Sequence, residues 1–442
     1  MMTDAGDVLV IGAGVAGLTA ARVLAEAGLR VLIVEARDRI GGRVWTIRAP
    51  SGGPVELGAE FVHGRPPAIF HLIQSANLDV REVGGPRWIR AANGLERCDD
   101  FFADTRSVLG LMNDRGPDRS FARFLDDCCA GGEAEDAAKL WGLEYIEGFH
   151  GAFAERISMH SLVRSRKAEN EIEGDRSFRF VRGYQSLLQV LKDALPPKLV
   201  QVRLNTVVHS VDWSQHRVRV QSRTPRGPLE LSAPRAIVTL PLGVLQAPAD
   251  APGAVRFAPR LEQKASALHL LYMGQTIRVS MIFSEPWWGR MAAVRVQPGV
   301  LRNMSFVYSH QTWFPTWWTQ NPSAPVLTGW AASRRGERLS GRSDLYIKQK
   351  ALESLAAIFD ITHPTLETML QSWHVHDWQS DPYARGSYSY VGVNGEGAQA
   401  DLAEPLAATL FFAGEATDTT GHHATVHGAI ASGERAARQV LS

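Results

Sequence analysis

Three glycines, Gly12, Gly14 and Gly17, stand in GAGVAG with G-x-G-x-x-G spacing, after the apolar run DVLVI (7–11). Glycine there permits a tight turn, lets backbone approach a pyrophosphate, and lets a helix pack close on a strand. Phosphates would sit on the free N–H groups of the following helix start. A second apolar run, RVLIVE (30–35), ends on Glu35, about twenty residues on, placed to accept from ribose hydroxyls. Together these predict a dinucleotide site. Immediately beyond, ARDRIGGRVWT adds the cations Arg37 and Arg43 around a Gly41–Gly42 reversal. Another candidate is Arg278, in GQTIRVSMIFSEPWW. Ile277, Val279, Met281 and Phe283 alternate there with Arg278, Ser280 and Ser284, the pattern of a half-buried strand. Arg278 is then either a solvated edge or a cation aimed into a site. His423 and His427 have i, i+4 spacing beside His422, but no acidic partner completes an HExxH pattern, so no metal is expected.

The elements that must position these groups follow from periodicity. Val15 to Ala27 reads as a helix closed by Gly28. Strand, helix and strand in that order, with continuous apolar strands, belong in a parallel sheet covered on both faces. From about Pro66 to Leu195 the pattern turns helical, with polar breaks at Asn113–Asp118 and Gly131–Asp136. Residues 200–240 alternate again (VVHSVDW, HRVRV, AIVTLP). A mixed region follows, with an aromatic loop WFPTWW (313–318) and a helix at about 344–359. TLFFAG (409–414) reads as a strand, and VHGAIASGERAARQVL as a closing helix. The expected architecture is α/β, with a nucleotide domain built from 1–75, 200–265 and 375–442. A second, α+β domain takes 76–199 and 266–374 and reads the substrate.

Bulk composition narrows the class. The 442 residues carry a formal net charge of +1, which gives no reason to expect nucleic acid as a partner. The three cysteines, Cys98, Cys128 and Cys129, have neither metal-ligand nor CxxC spacing and suit a reducing compartment. No apolar run reaches about eighteen residues, and the start lacks a basic signal region, so a cytoplasmic protein without a membrane partner is expected. Of 47 basic residues only seven are lysine, so this chain uses arginine wherever a generic cation will do.

The Gly-Gly-Arg loop after Glu35 resembles that of FAD enzymes of the amine oxidase type. LFFAGEATDTTGHHATVHGAIASGERAARQVL resembles the closing signature of the flavin-containing amine oxidases, a family that includes monoamine, polyamine and L-amino-acid oxidases. ELGAEFVHG (56–64), RFVRGYQSLLQVL, VVHSVDW and TLPLGVL (239–245) resemble its inner blocks, so the likeness spans nearly the whole chain. It is weakest over 85–150 and 290–370.

The resemblance implies a glutathione-reductase-type, Rossmann-like fold. It implies FAD on Gly12, Gly14, Gly17, Glu35, Arg37, Gly42 and Arg43, with the loop of Gly58, Ala59 and Glu60 bordering the isoalloxazine. Val208 would give the adenine-side backbone contact. Gly414 and Glu415 would meet the diphosphate and ribityl region, and Thr425 and Val426 the pyrimidine. It implies hydride loss from the carbon beside an amine nitrogen to flavin N5, hydrolysis of the imine, and reoxidation by O2 to give peroxide. The substrate would be a small primary or secondary amine, a polyamine or an amino acid.

Three departures sharpen this. Ser387 stands where covalently flavinylated members carry cysteine, so FAD is expected to be non-covalent. Tyr388 matches one wall of the aromatic cage that flanks the amine, while the opposite wall falls on Thr425. His63 falls where polyamine oxidases place a His or Glu over the flavin. Arg278 falls where the family places a lysine that holds water beside flavin N5. Arginine is longer, planar and permanently charged, so it either keeps that duty, clamps a substrate carboxylate, or marks an acceptor other than oxygen. Arg278, His63 and Tyr388 are thus the expected catalytic set. Two rivals remain: a flavin desaturase or dehydrogenase using another acceptor, and an FAD-bound scaffold interacting through WFPTWW. Oligomeric state is left open.

Overall fold

The computed structural model describes residues 2–49, 53–98, 108–128, 133–290, 299–321 and 324–442. The expected Cys129 and part of the Gly131–Asp136 break lie outside these residues.

The apolar runs at Val8–Ile11 and Val31–Val34 form the centre of a five-stranded sheet. Its order is Val200–Arg203, Val31–Val34, Val8–Ile11, Arg235–Val238, Leu410–Phe412, and every pairing is parallel. Three well-separated stretches of chain therefore build one sheet, as an α/β nucleotide fold requires. The helix Val15–Glu26 ends at Ala27, with Gly28 at positive φ. It packs against the closing helix Val426–Leu441. A Cβ on Gly433 would come within 2.4 Å of the Ala16 carbonyl, so glycine lets the two helices touch. The predicted alternating strands appear as Val207–Ser214 and Arg217–Thr224 in a second five-stranded sheet.

A seven-stranded sheet carries the other half of the chemistry. Its order is Leu370–Asp377, Thr276–Phe283, Val326–Ala332, Thr316–Thr319, Phe306–Tyr308, Arg87–Ala91, Gly94–Arg97. Three expectations are corrected here. Thr276–Phe283 is buried at every residue, not half-buried. Ile277, Val279, Met281 and Phe283 pack in one core with Ile347, Leu352, Leu355 and Ile358 of the predicted helix Asp344–Phe359. On the opposite face Ile282 packs with Val55 and Leu57 of the chain leading to the 58–60 loop. The stretch from Pro66 to Leu195 is not uniformly helical, because Arg87–Ala91 and Gly94–Arg97 form a hairpin and Ser177–Phe180 another strand. Its overlooked sign is Asn93–Gly94 between alternating runs, a hairpin turn signal, with Gly94 at φ 133°. WFPTWW is no exposed loop: Thr316–Thr319 is a strand, and Phe314, Trp317 and Trp318 are buried. The aromatic surface that the scaffold reading needed is inside the protein.

Candidate functional site

The cradle begins at the GAGVAG turn. Gly12 has φ 111°, a conformation that side-chain-bearing residues avoid. A Cβ on Gly17 would lie 2.1 Å from the Gly12 carbonyl. At Gly14 and at Gly414 (φ 126°) a Cβ would meet nothing within 4 Å among the described residues. Those two glycines border open space after two strands of the same parallel sheet, Val8–Ile11 and Leu410–Phe412, which flank Arg235–Val238, and a bound group can approach bare backbone there. Gly42 closes over the same turn, with its Cβ position 3.5 Å from the Gly14 Cα. No side chain caps the helix start at Gly14, so its N–H groups stay available to an anion. Buried Glu35 accepts from the backbone N–H of Ala13 (2.8 Å) and of Arg37 (3.0 Å). Thr206 N donates to the Glu35 carbonyl, which brings the Val207–Ser214 strand, with buried Val208, beside it. These residues fit an extended dinucleotide.

Two arginines of this region are committed inside the protein. Arg37 donates to both oxygens of Asp381 (2.7 and 2.8 Å), which also meets His376 Nε2 at 2.9 Å. Arg43 Nη1 donates to the Ser387 carbonyl (2.9 Å) and to Glu415 (2.8 Å). Glu415 also accepts from Ser389 Oγ (2.6 Å) and Ala424 N (2.9 Å). Burial alone would raise this carboxyl; the Arg43 charge and the Ser389 bond hold it below its ordinary range. The carboxylate thereby ties the turn before Thr425 and Val426 to the segment of Ser387 and Tyr388. Thr425 caps the closing helix, accepting from Gly428 N at 2.9 Å.

The other carboxylate centre is Glu60. Arg278 donates from Nη1 to the Gly58 carbonyl (2.9 Å) and from Nη2 to Glu60. Arg179 Nε lies 2.7 Å from Glu60, and Trp318 Nε1 donates to both its oxygens at 3.1 Å. Burial pushes Glu60 up, but the charges of Arg278 and Arg179 bring it below the ordinary value. Arg278 is 5% exposed, which excludes the solvated edge. Both its Nη groups are engaged within the chain while its Nε has no hydrogen-bond partner among the described residues, and the carboxylate it grips is Glu60. Glu60 in turn spends its side chain on this cluster, while Gly58 and Ala59 fold onto the Arg43 carbonyl; Ala59 N donates to it at 3.1 Å. A Cβ on Gly58 would lie 1.9 Å from that oxygen. Neighbouring Glu56 accepts from Tyr184 N and Thr46 Oγ1 at 2.7 Å each, and burial raises it to about 7.

Tyr388 Oη donates to the Phe149 carbonyl (2.8 Å), which fixes the ring. Burial raises its pKa, so the phenol stays neutral. Ser387 Oγ donates to the Gly274 carbonyl (2.9 Å). His63 ends the strand Val62–His63 and is accessible, yet enclosed enough that burial lowers its pKa. The structure also brings in residues that the sequence reading missed. Arg179 and Trp318 surround Glu60. His150, next to Phe149, lies within electrostatic reach of His63 and His423. A charged residue between Phe178 and Phe180 was the available sign for Arg179; no local sign marks His150.

Among the described residues no group of three or more His, Cys, Asp or Glu could hold a metal ion. No helix among them is long and apolar enough to cross a membrane.

The sequence profile described as flavin containing amine oxidoreductase matches residues 15–441. The chain is 28% identical to a lysine-specific histone demethylase 1B of Mus musculus, over 99% of this chain and 53% of that protein. It is 27% identical to polyamine oxidase 4 of Oryza sativa subsp. japonica, over 98% of this chain and 88% of that one. It thus spans about half the length of the demethylase and most of the polyamine oxidase. Among solved structures, a wild-type putrescine oxidase bound to putrescine superposes with a TM-score of 0.80 at 21% identity, covering 100% of both chains.

Proposed function

The chain belongs to the flavin containing amine oxidoreductase family, its cofactor is FAD held without a covalent link, and from that premise we propose that it oxidises a small amine lacking a carboxylate. The observation that carries this reading is the Glu415 centre. By bonding Arg43, Ser389 and Ala424 together, it sets the Tyr388 ring one residue from the walls of the flavin cradle. When bound, FAD supplies a two-electron acceptor for a hydride from the carbon beside the amine nitrogen, and oxygen takes those electrons on as peroxide.

In this reading the protein's own groups orient the amine and keep it neutral. The face of Tyr388 holds the nitrogen through its ring electrons, and its anchored hydroxyl holds the ring in place. His63, in its neutral form, accepts a hydrogen bond from the uncharged amine. Arg278 acts as a positioning residue, gripping Gly58 and Glu60 so that the 58–60 loop borders the flavin. Engagement of both Arg278 Nη groups by Gly58 and Glu60 argues against a substrate carboxylate there and favours primary and secondary amines and polyamines. The few cysteines suit a cytoplasmic setting.

The test is anaerobic mixing of the purified yellow protein with polyamines, arylalkylamines and L-amino acids while flavin absorbance is followed, before air is admitted. Bleaching by an amine but not by amino acids, with recovery in air, is the expected result. Absence of bleaching by every amine would overturn the proposal, and bleaching without recovery in air would overturn oxygen as acceptor.

A further inference from the structure

ARDRIGGR carries three arginines, and the structure uses them differently. Arg37 is committed to Asp381, and the Arg43 side chain to the Ser387 carbonyl and Glu415. Half-buried Arg39 makes no ion pair among the described residues and donates to backbone alone. Its Nη1 donates to Ile40 O (3.2 Å) and Val44 O (3.4 Å), and its Nη2 to Gly42 O (2.9 Å). The Trp45 ring lies 4.3 Å from its Cζ, a cation–π contact that helps to hold the guanidinium in place. One side chain thus gathers three carbonyls of the reversal between residues 40 and 44.

The effect of that grip follows from the peptide unit. A trans peptide is planar, with its C=O and the next residue's N–H pointing in opposite directions. Drawing Ile40 O towards Arg39 turns the Gly41 N–H away, and that N–H donates to Ala13 O at 2.8 Å. Drawing Gly42 O the same way turns the Arg43 N–H away from Arg39 too, to the side where the GAGVAG turn lies. This N–H makes no hydrogen bond among the described residues, and neither does that of Gly42. On the facing turn the first helical bond runs from Leu18 N to Gly14 O (3.0 Å), so the N–H groups before Leu18 have no helical partner. Gly41 and Gly42, at φ 101° and 57°, supply the left-handed backbone of the reversal. Glycine leaves that conformation as readily as it adopts it. Arg39 provides the restraint that the two glycines lack.

We infer that Arg39 is a positioning residue for the FAD diphosphate. By gripping Ile40 O, Gly42 O and Val44 O, it aims the Arg43 N–H into the same anion-binding space as the start of the helix Val15–Glu26. It acts from behind the loop, through backbone orientation. The inference concerns how the cofactor is held, so it stands whichever donor reduces the flavin.

The test reads the cofactor's phosphates in the holoprotein. Phosphorus NMR of bound FAD, its visible absorption, and the flavin fluorescence released on dilution are compared for wild type, Arg39→Met, Arg39→Gln and Arg39→Lys. In Arg39→Met at least one diphosphate resonance moves while the isoalloxazine absorption keeps its shape. The Kd for FAD rises on the order of tenfold to a hundredfold, the scale of a hydrogen bond to a charged group. Arg39→Gln and Arg39→Lys, which can each still take a carbonyl, fall in between. If Arg39→Met retains no flavin, those two variants decide, and wild-type resonances and affinity in both overturn the inference. Unmoved resonances or an unchanged Kd in Arg39→Met also overturn it. So does a changed isoalloxazine spectrum, because Arg39 would then support the whole site and not the diphosphate end. Full recovery by lysine with none by glutamine overturns the carbonyl grip, since charge alone would account for it. None of these readings needs an amine, so they stand or fall separately from the anaerobic bleaching.

Discussion

Two buried glutamates, Glu415 and Glu60, knit the site together, and they do so with different partners. Glu415 is held by one arginine, a serine hydroxyl and a backbone N–H. Glu60 is held by two arginines and a tryptophan, with Glu56 close by. The first centre is one carboxylate against one cation, in a shell of neutral donors. The second is one carboxylate against two cations and is balanced only when Glu56 ionises. A centre with neutral donors tolerates loss of charge, because the donors can still be met by an amide. A centre with two buried cations does not, since removing the anion strands both of them.

Glu60→Gln is expected to be the most damaging of the simple changes. It leaves Arg278 and Arg179 buried without their anion, and stability should fall by about 3–5 kcal/mol. Glu415→Gln keeps an acceptor for Ser389 or Ala424 and should cost about 1–3 kcal/mol. Urea unfolding of both holoproteins at pH 8 measures the difference. Equal losses would break the distinction between the two centres. The double variant Glu60→Gln/Arg278→Met should recover part of the loss, because one stranded cation goes with its partner.

Glu56 gives the comparison a pH dependence. Its pKa in the folded protein is raised from 4.5 to about 7 by burial. The folded state then binds the proton more tightly than the unfolded chain, so this group's contribution is fully present below 4.5 and is lost as pH rises through 7. A shift of this size amounts to about 3 kcal/mol. Glu56→Gln mimics the protonated side chain, so the stability of the wild type relative to this variant should fall by that amount between pH 4 and 8. A difference that stays flat with pH would show that Glu56 ionises normally.

Arg278→Lys should have a smaller effect. A lysine reaches one of the two acceptors, Gly58 O or Glu60, and lacks the planar fork. Stability should drop by about 1–2 kcal/mol, and Arg179 and Trp318 should keep Glu60 ionised. Thermal unfolding and the flavin spectrum read this directly. A loss as large as that of Glu60→Gln would mean that Arg278 alone carries the cluster.

The nucleotide cradle and the Glu60 centre also differ in how far the sequence discloses them. Gly12, Gly14, Gly17 and Glu35 act through local geometry, in which a turn, a strand end and a helix start lie within one stretch. Spacing alone therefore reveals the cradle. The closing helix and the three-segment sheet were legible for the same reason, through unbroken periodicity. Glu60, Arg179, Arg278 and Trp318 come from four separate stretches: Arg278 and Trp318 lie on the seven-stranded sheet, Arg179 on the strand Ser177–Phe180 of another sheet, and Glu60 in a loop, and only the tertiary fold brings them together. Alternation located Arg278 on its strand, but it could not show that the chain from Val55 to Glu60 covers that face, and so it suggested half-burial. His150 is the extreme case: it sits at a helix end with no spacing to its partners, and only the Tyr388 bond to Phe149 brings it in.

The finest test of the neutral-donor centre is Ser389→Ala. Ser389 Oγ donates to Glu415 at 2.6 Å, one of several bonds that hold this carboxyl below its ordinary 4.5. A lowered carboxyl pKa contributes stability that is present above the unfolded value and lost as pH falls through the folded one. Removing the hydroxyl should therefore cost about 1 kcal/mol at pH 7. The deficit should shrink below pH 4.5, because the wild type then loses the same contribution that the variant already lacks. Unfolding curves for both proteins across that range decide it. A deficit constant with pH would mean that the hydroxyl serves the neutral acid as well as the carboxylate. Glu415 would then be held by packing and Arg43, and the contrast with Glu60 would rest on the number of cations alone.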